Sequence, residues 1–130
     1  MSGHNGTEAK KTARATATPS LKDLHWAAGF IEGEGSFVAL SSTARVSVEQ
    51  VNKEPVSKLM ALFGGSLRQY HDAHDPTIYK KRRHPTWVWW ATGSRARGVI
   101  MTLYPLMSVK RQRQMHRVIT ASPSVESERI

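Results

Sequence analysis

The stretch Trp26-Ala27-Ala28-Gly29-Phe30-Ile31-Glu32-Gly33-Glu34-Gly35-Ser36-Phe37 constrains this chain more than any other. It opens with the spacing of a helix and closes with the alternation of a strand. Upstream, Pro19 is followed by Ser20, with Asp23 three residues on, the spacing of a capping box that starts a helix. A helix is expected from Leu21 to Gly33, turning Leu24, Ala27, Ala28 and Ile31 towards a core. Gly29 and Gly33 lie four apart on one face, beside Trp26 and Phe30, so a second helix could approach that face closely. Gly35 stands where a helix end favours a residue free to turn left-handed. Glu34 is then out of place, because a carboxylate at the negative end of a helix is disfavoured by up to ~1 kcal/mol. A divalent cation such as Mg²⁺ would remove that penalty, since hard cations take carboxylate and carbonyl oxygens.

The remainder divides into short elements. Residues 1–18 lack apolar periodicity and read as a disordered tail; Glu8 and the shortness of the segment count against an organellar targeting signal. Ser36 to Ser42 and Arg45 to Asn52 alternate with period two around Thr43-Ala44, a hairpin. Val46 and Val48 share one face of its second strand, and Gln50 continues that face. Arg45, Ser47 and Glu49 share the other. Pro55 opens a second helix with Val56, Leu59, Met60 and Phe63 inward and Gly64-Gly65 as its stop. Ser66 to His71 and Thr86 to Thr92 read as two more strands, and Asp72 to His84 as a polar loop between them. Trp87 and Trp89 share one face of the last strand and Trp90 the other, so most of this aromatic area is packing. Ser94 caps a third helix running to Pro105. Ser108 starts a fourth, striped by Met115, Val118 and Ile119, and 121–130 is a flexible polar tail. The domain therefore spans 19–120, in the order α-β-β-α-β-β-α-α.

Charge narrows the function. The 130 residues carry 19 Lys and Arg against 10 acids, a net charge of +9, which points to a polyanionic partner. No apolar run approaches the ~20 residues that span a membrane. Zero cysteines exclude disulfides and thiolate chemistry, which fits an intracellular protein. From Pro76 to Val125 there are ten Lys and Arg and no acid, so candidate catalytic carboxylates lie in the first 75 residues. His71, Asp72, His74 and Asp75 have the donor chemistry for Zn²⁺ or Ni²⁺, but without a distant third ligand they read as polar loop. No strained turn presents Ser66 as a nucleophile.

Ala27 to Gly35, AAGFIEGEG, resembles the signature of the LAGLIDADG homing endonucleases. Gly29 and Gly35 match it, Glu32 and Glu34 stand where it has aspartates, and Phe30-Ile31 fill its apolar pair. The resemblance continues through Val51, Leu59, Phe63-Gly64-Gly65, Trp87-Val88-Trp89 and Leu103-Tyr104-Pro105-Leu106 to Lys110-Arg111-Gln112, covering roughly Leu21 to Thr120. Two departures are Ala27 in place of the usual Leu and Glu in place of Asp at both acidic positions, the second of which the family tolerates at Glu34.

The resemblance implies an α+β fold of the αββαββα type, with a four-stranded antiparallel, saddle-shaped sheet backed by helices. It implies a homodimer joined through Trp26, Gly29, Phe30 and Gly33, acting on a pseudo-palindromic site in double-stranded DNA and serving intron or intein mobility. Glu34 and the carbonyl of Gly33 would hold Mg²⁺, for which Mn²⁺ would substitute and Ca²⁺ would bind without turnover. Gln50 would order water (Asn52 or Lys53 if the register differs), and Lys110 would stand near the scissile phosphate. Bases and backbone would be met by Ser36, Val38, Leu40, Ser42, Arg45, Ser47, Glu49, Arg68, Tyr70, Trp89, Arg111 and the loop cations Lys80, Lys81, Arg82 and Arg83. The alternative is a LAGLIDADG domain that binds DNA or RNA, as a maturase or regulator, with cleavage lost.

Overall fold

The computed structural model describes residues 10–41, 43–70 and 85–121. The fold is α+β, with one five-stranded antiparallel sheet and four helices. In chain order these are β1 (Lys11–Ala13), α1 (Leu21–Glu34), β2 (Gly35–Leu40), β3 (Thr43–Gln50), α2 (Lys53–Phe63), β4 (Gly65–Tyr70), β5 (Thr86–Thr92), α3 (Gly93–Leu103), a 3₁₀ turn (Tyr104–Leu106) and α4 (Val109–Ala121). Across the sheet the strands run β1-β4-β5-β3-β2, which leaves β1 and β2 as edges.

The sheet's two faces are set by period-two alternation. Ala44, Val46 and Val48 of β3, Leu67 of β4 and Trp89 and Ala91 of β5 join one buried cluster. Ala27, Ala28 and Ile31 of α1, Val56 and Leu59 of α2, Ala96, Val99, Ile100 and Leu103 of α3, Met107, and Met115 and Val118 of α4 complete it. The register pairs Val48 with Trp89 and Val46 with Ala91, so core residues meet across strands and a one-residue slip would expose them all.

The capping box is formed: Ser20 Oγ accepts from the Asp23 amide at 3.1 Å, and Asp23 Oδ2 accepts from the Ser20 amide at 3.0 Å. At its other end α1 runs one residue beyond the expected Gly33, to Glu34, and passes into β2 with no loop between. Gly35 is extended there, with φ −81° and ψ 161°, and not left-handed. The position needs glycine for room: a Cβ would stand 2.6 Å from Ile31 Cγ2 and 2.7 Å from the Ile31 carbonyl oxygen. Gly64 is a different case, with φ +72°, a conformation that glycine adopts without strain. Its carbonyl receives the buried indole N–H of Trp89 at 2.9 Å.

Several expectations are corrected. The sheet has five strands, because Lys11–Ala13 pairs with β4 in a segment expected to be disordered, and the amides of Thr16 and Ala17 donate to the Ala61 carbonyl. The hairpin turns before Thr43, since Leu40 pairs with Thr43 and Ser41 has φ 53°; Ala44, expected in the turn, is a core residue. α2 begins at Lys53, placing Pro55 third in its first turn, and Leu62 is buried where the sequence had suggested Met60 and Phe63, which are half-buried. α3 begins at Gly93, ahead of the expected cap Ser94. The tail assigned to 121–130 overlaps α4 at Ala121 and otherwise lies outside the described residues, as do His71, Asp72, His74, Asp75 and the loop cations.

The Gly35 geometry yields a stability test. Gly35→Ala should destabilise the protein by about 1–3 kcal/mol, because its methyl meets a buried side chain and a backbone carbonyl that cannot move aside. Gly98→Ala in α3, where a Cβ meets nothing within 4 Å, should leave stability unchanged or raise it by about 0.5–1 kcal/mol. Urea unfolding of both variants checks the contrast; equal effects would show that the junction yields freely.

Candidate nucleic-acid interface and carboxylate site

The helices pack on the sheet face that carries Val46, Val48, Leu67, Trp89 and Ala91. The opposite face presents, strand by strand, Thr12; Ser66, Arg68 and Tyr70; Thr86, Val88, Trp90 and Thr92; Thr43, Arg45, Ser47 and Glu49; and Ser36, Val38 and Leu40. Eight of the residues expected to meet DNA therefore share one surface: Ser36, Val38, Leu40, Arg45, Ser47, Glu49, Arg68 and Tyr70. Its cations lie on aromatic rings, with Arg45 at 5.3 Å from the Trp90 centroid, Lys10 at 6.0 Å from the same ring and Arg68 at 5.3 Å from Tyr70. A cation held over a ring in this way is restrained by the attraction of the ring's electrons. Glu49 accepts from the Thr86 hydroxyl at 2.5 Å. Ser42, Lys80, Lys81, Arg82 and Arg83 lie outside the described residues.

One expected interface residue, Trp89, is corrected, and a second, Arg111, has partners within the fold. Trp89 has no exposed surface, and its indole N–H is bound to Gly64, so Trp90 is the tryptophan on the open face. The sequence carried the signal: alternation puts Trp90 opposite to Trp89, and the valines of β3 mark which face is core. Arg111 is taken up within the fold. Its Nε donates to the Glu32 carbonyl at 3.0 Å, one terminal nitrogen to the Gly35 carbonyl at 2.9 Å and the other to Gln114 at 2.7 Å. Its guanidinium also lies 5.4 Å from the Phe37 centroid.

Those contacts form half of a reciprocal clasp. Glu32 accepts from the Ser108 amide at 2.9 Å and from its hydroxyl at 2.7 Å, while Ser108 Oγ accepts from the Arg111 amide at 3.2 Å. The start of α4 is thereby capped by a carboxylate from α1, and the end of α1 by a cation from α4. Arg111 thus supplies a positive charge at the helix end where Glu34 sits, and offsets the penalty that had suggested a metal there.

Glu34 is exposed, and its Oε1 accepts from the Gln50 amide at 2.7 Å. Gln50 ends β3 on the core side, so the last residue of α1 and the last of β3 meet where helix passes into sheet. Lys110 is exposed at the second residue of α4, next to Arg111. The face expected to join two copies is open in the single chain: Gly29 and Gly33 are exposed, with no atom within 4 Å of a built Cβ. Trp26 and Phe30 stack beside them with centroids 5.3 Å apart. Among the described residues no three His, Asp or Glu side chains gather as a cage for a metal. Glu34 and the Gly33 carbonyl offer the oxygen chemistry that Mg²⁺ takes, since that ion keeps several waters and binds through one or two carboxylates together with substrate phosphates. Among the described residues no helix is long and apolar enough to cross a membrane.

The clasp titrates. Hydrogen bonds from the Ser108 hydroxyl and then its amide hold the Glu32 carboxyl below the usual range, with lesser help from Arg111 and Lys110. A carboxylate whose folded pKa is depressed stabilises the fold above its unfolded value, about 4.3, and loses that stabilisation as pH falls through the folded value. Glu32→Gln should therefore lower the unfolding midpoint by a few degrees at neutral pH, with the gap closing below about pH 4. Thermal unfolding across pH checks this; a gap independent of pH would mean that the charge of Glu32 contributes nothing.

Comparison with models of known families, with curated proteins and with solved structures finds no match to this chain.

Proposed function

We propose that the chain is one half of a homodimeric, sequence-specific endonuclease of the LAGLIDADG kind, acting on double-stranded DNA with Mg²⁺. The observation that carries the reading is the Glu34–Gln50 hydrogen bond. Two residues sixteen apart in sequence, assigned by resemblance to one reaction centre, meet at 2.7 Å. The open sheet face supports it, since hydroxyls, arginines and small apolar side chains are the groups that read base edges in the major groove.

In this reading Gln50 fixes the rotamer of Glu34 and offers its remaining donor and carbonyl to water. Glu34, beside the Gly33 carbonyl, would hold Mg²⁺ with substrate oxygens, and the ion would supply charge neutralisation at the scissile phosphate and an acidified water. Lys110 offers a mobile cation to the charge that develops on the phosphoryl oxygens. One copy supplies one carboxylate and half a reading surface, so cutting both strands calls for a second copy through Gly29 and Gly33, and a two-fold protein calls for a pseudo-palindromic site.

A second reading, a LAGLIDADG domain that binds DNA or RNA without cutting, draws on Arg111: with the end of α1 already neutralised, Glu34 needs no metal to be stable there. Glu34→Gln separates the two. It removes the charge that holds a cation and leaves the sheet face intact. The nuclease reading expects duplex affinity in Ca²⁺ to persist while cleavage in Mg²⁺ falls by roughly a thousandfold or more. Undiminished cleavage by Glu34→Gln would overturn the mechanism, and a native protein that binds duplex without cutting would establish the second reading.

A further inference from the structure

A cavity of about 260 Å³ lies on the helix side of the sheet, between the β1 edge and α2. Its rim carries Lys11 and Arg14 from the N-terminal segment and Lys53 from the first turn of α2, with the Ser57 hydroxyl between elements. Met60, Ala61, Leu67 and Trp87 also line it. No carboxylate lines it, and among the described residues none of the three cations makes an ion pair. Like charges gathered without a counter-charge repel one another, and Lys53 adds to this by standing at the positive end of α2. Glu54 lies in the same turn but outside the cavity. Lys53 Nζ is 4.5 Å from the Trp87 centroid, and both residues line the cavity.

We infer that this cavity binds a phosphate monoester with an apolar body. The three cations would take the phosphate oxygens, and Met60 and Trp87 would take the body. The chemistry could come from a free nucleoside monophosphate or from the phosphorylated end of a DNA strand. The site lies across the sheet from the open face, so it stands independently of the proposed cleavage reaction. It also gives a role to β1, whose pairing with β4 brings Lys11 opposite Leu67 and carries Arg14 to the cavity.

Isothermal titration of the full chain with adenosine 5′-monophosphate, inorganic phosphate and adenosine tests the inference. The monophosphate should bind saturably and more tightly than either fragment. Arg14→Gln and Lys53→Gln, both at exposed positions, should each weaken it about tenfold without lowering the thermal midpoint of the free protein. Competition by a duplex carrying 5′-phosphates, but not by the same duplex with 5′-hydroxyls, would identify the strand end as the source; no competition by either would identify the free nucleotide. The absence of saturable binding, equal affinity for inorganic phosphate, or unchanged affinity in both variants would overturn it.

Discussion

The clasp between Glu32 and Ser108 on one side, and Arg111 and the carbonyls of Glu32 and Gly35 on the other, is the interaction on which the arrangement of the site depends. It joins two helix termini that would otherwise leave amides and carbonyls without partners. It also fixes where α1 ends, because Arg111 bridges the carbonyls on either side of Gly33 and Glu34. Glu34 is left between two anchored residues, and Gln50 then sets its carboxylate at the helix-to-sheet junction. The lack of any side chain on Gly35 lets β2 leave the helix against Ile31 without a loop.

The sheet separates two kinds of work. One face packs four helices through aliphatic side chains and Trp89, and the other keeps hydroxyls and aromatic-backed cations towards solvent. Period-two alternation enforces the division, since burying Val46 and Val48 places Arg45, Ser47 and Glu49 opposite. A single register therefore sets both the hydrophobic core and the chemistry of the open surface.

Much of this was legible in the sequence, for physical reasons. The capping box, the limits of β5 and the glycine stop of α2 are local signals, and each holds. The two sheet faces followed from alternation. What was illegible depends on distance or depth. The partners of Arg111 lie 76 and 79 residues away, so a basic run at a helix start gave no hint that one of its members was bound internally. β1 is three residues of Lys-Thr-Ala, with no apolar run to announce it, and short lysine-bearing strands are how sheet edges resist further pairing. Alternation along β5 separates Trp87 and Trp89 from Trp90 without saying which side is core, and the burial of Trp89 decides it.

Cleavage at the Glu34 junction, directed by the open face of two copies, is the central claim. It is tested most directly by incubating the native protein with a randomised duplex library and Mg²⁺ and sequencing the cut ends. The expected result is an enriched motif with two-fold pseudo-symmetry, cut once in each strand at symmetry-related positions. No enriched cuts, or cuts without a two-fold relation, would contradict it.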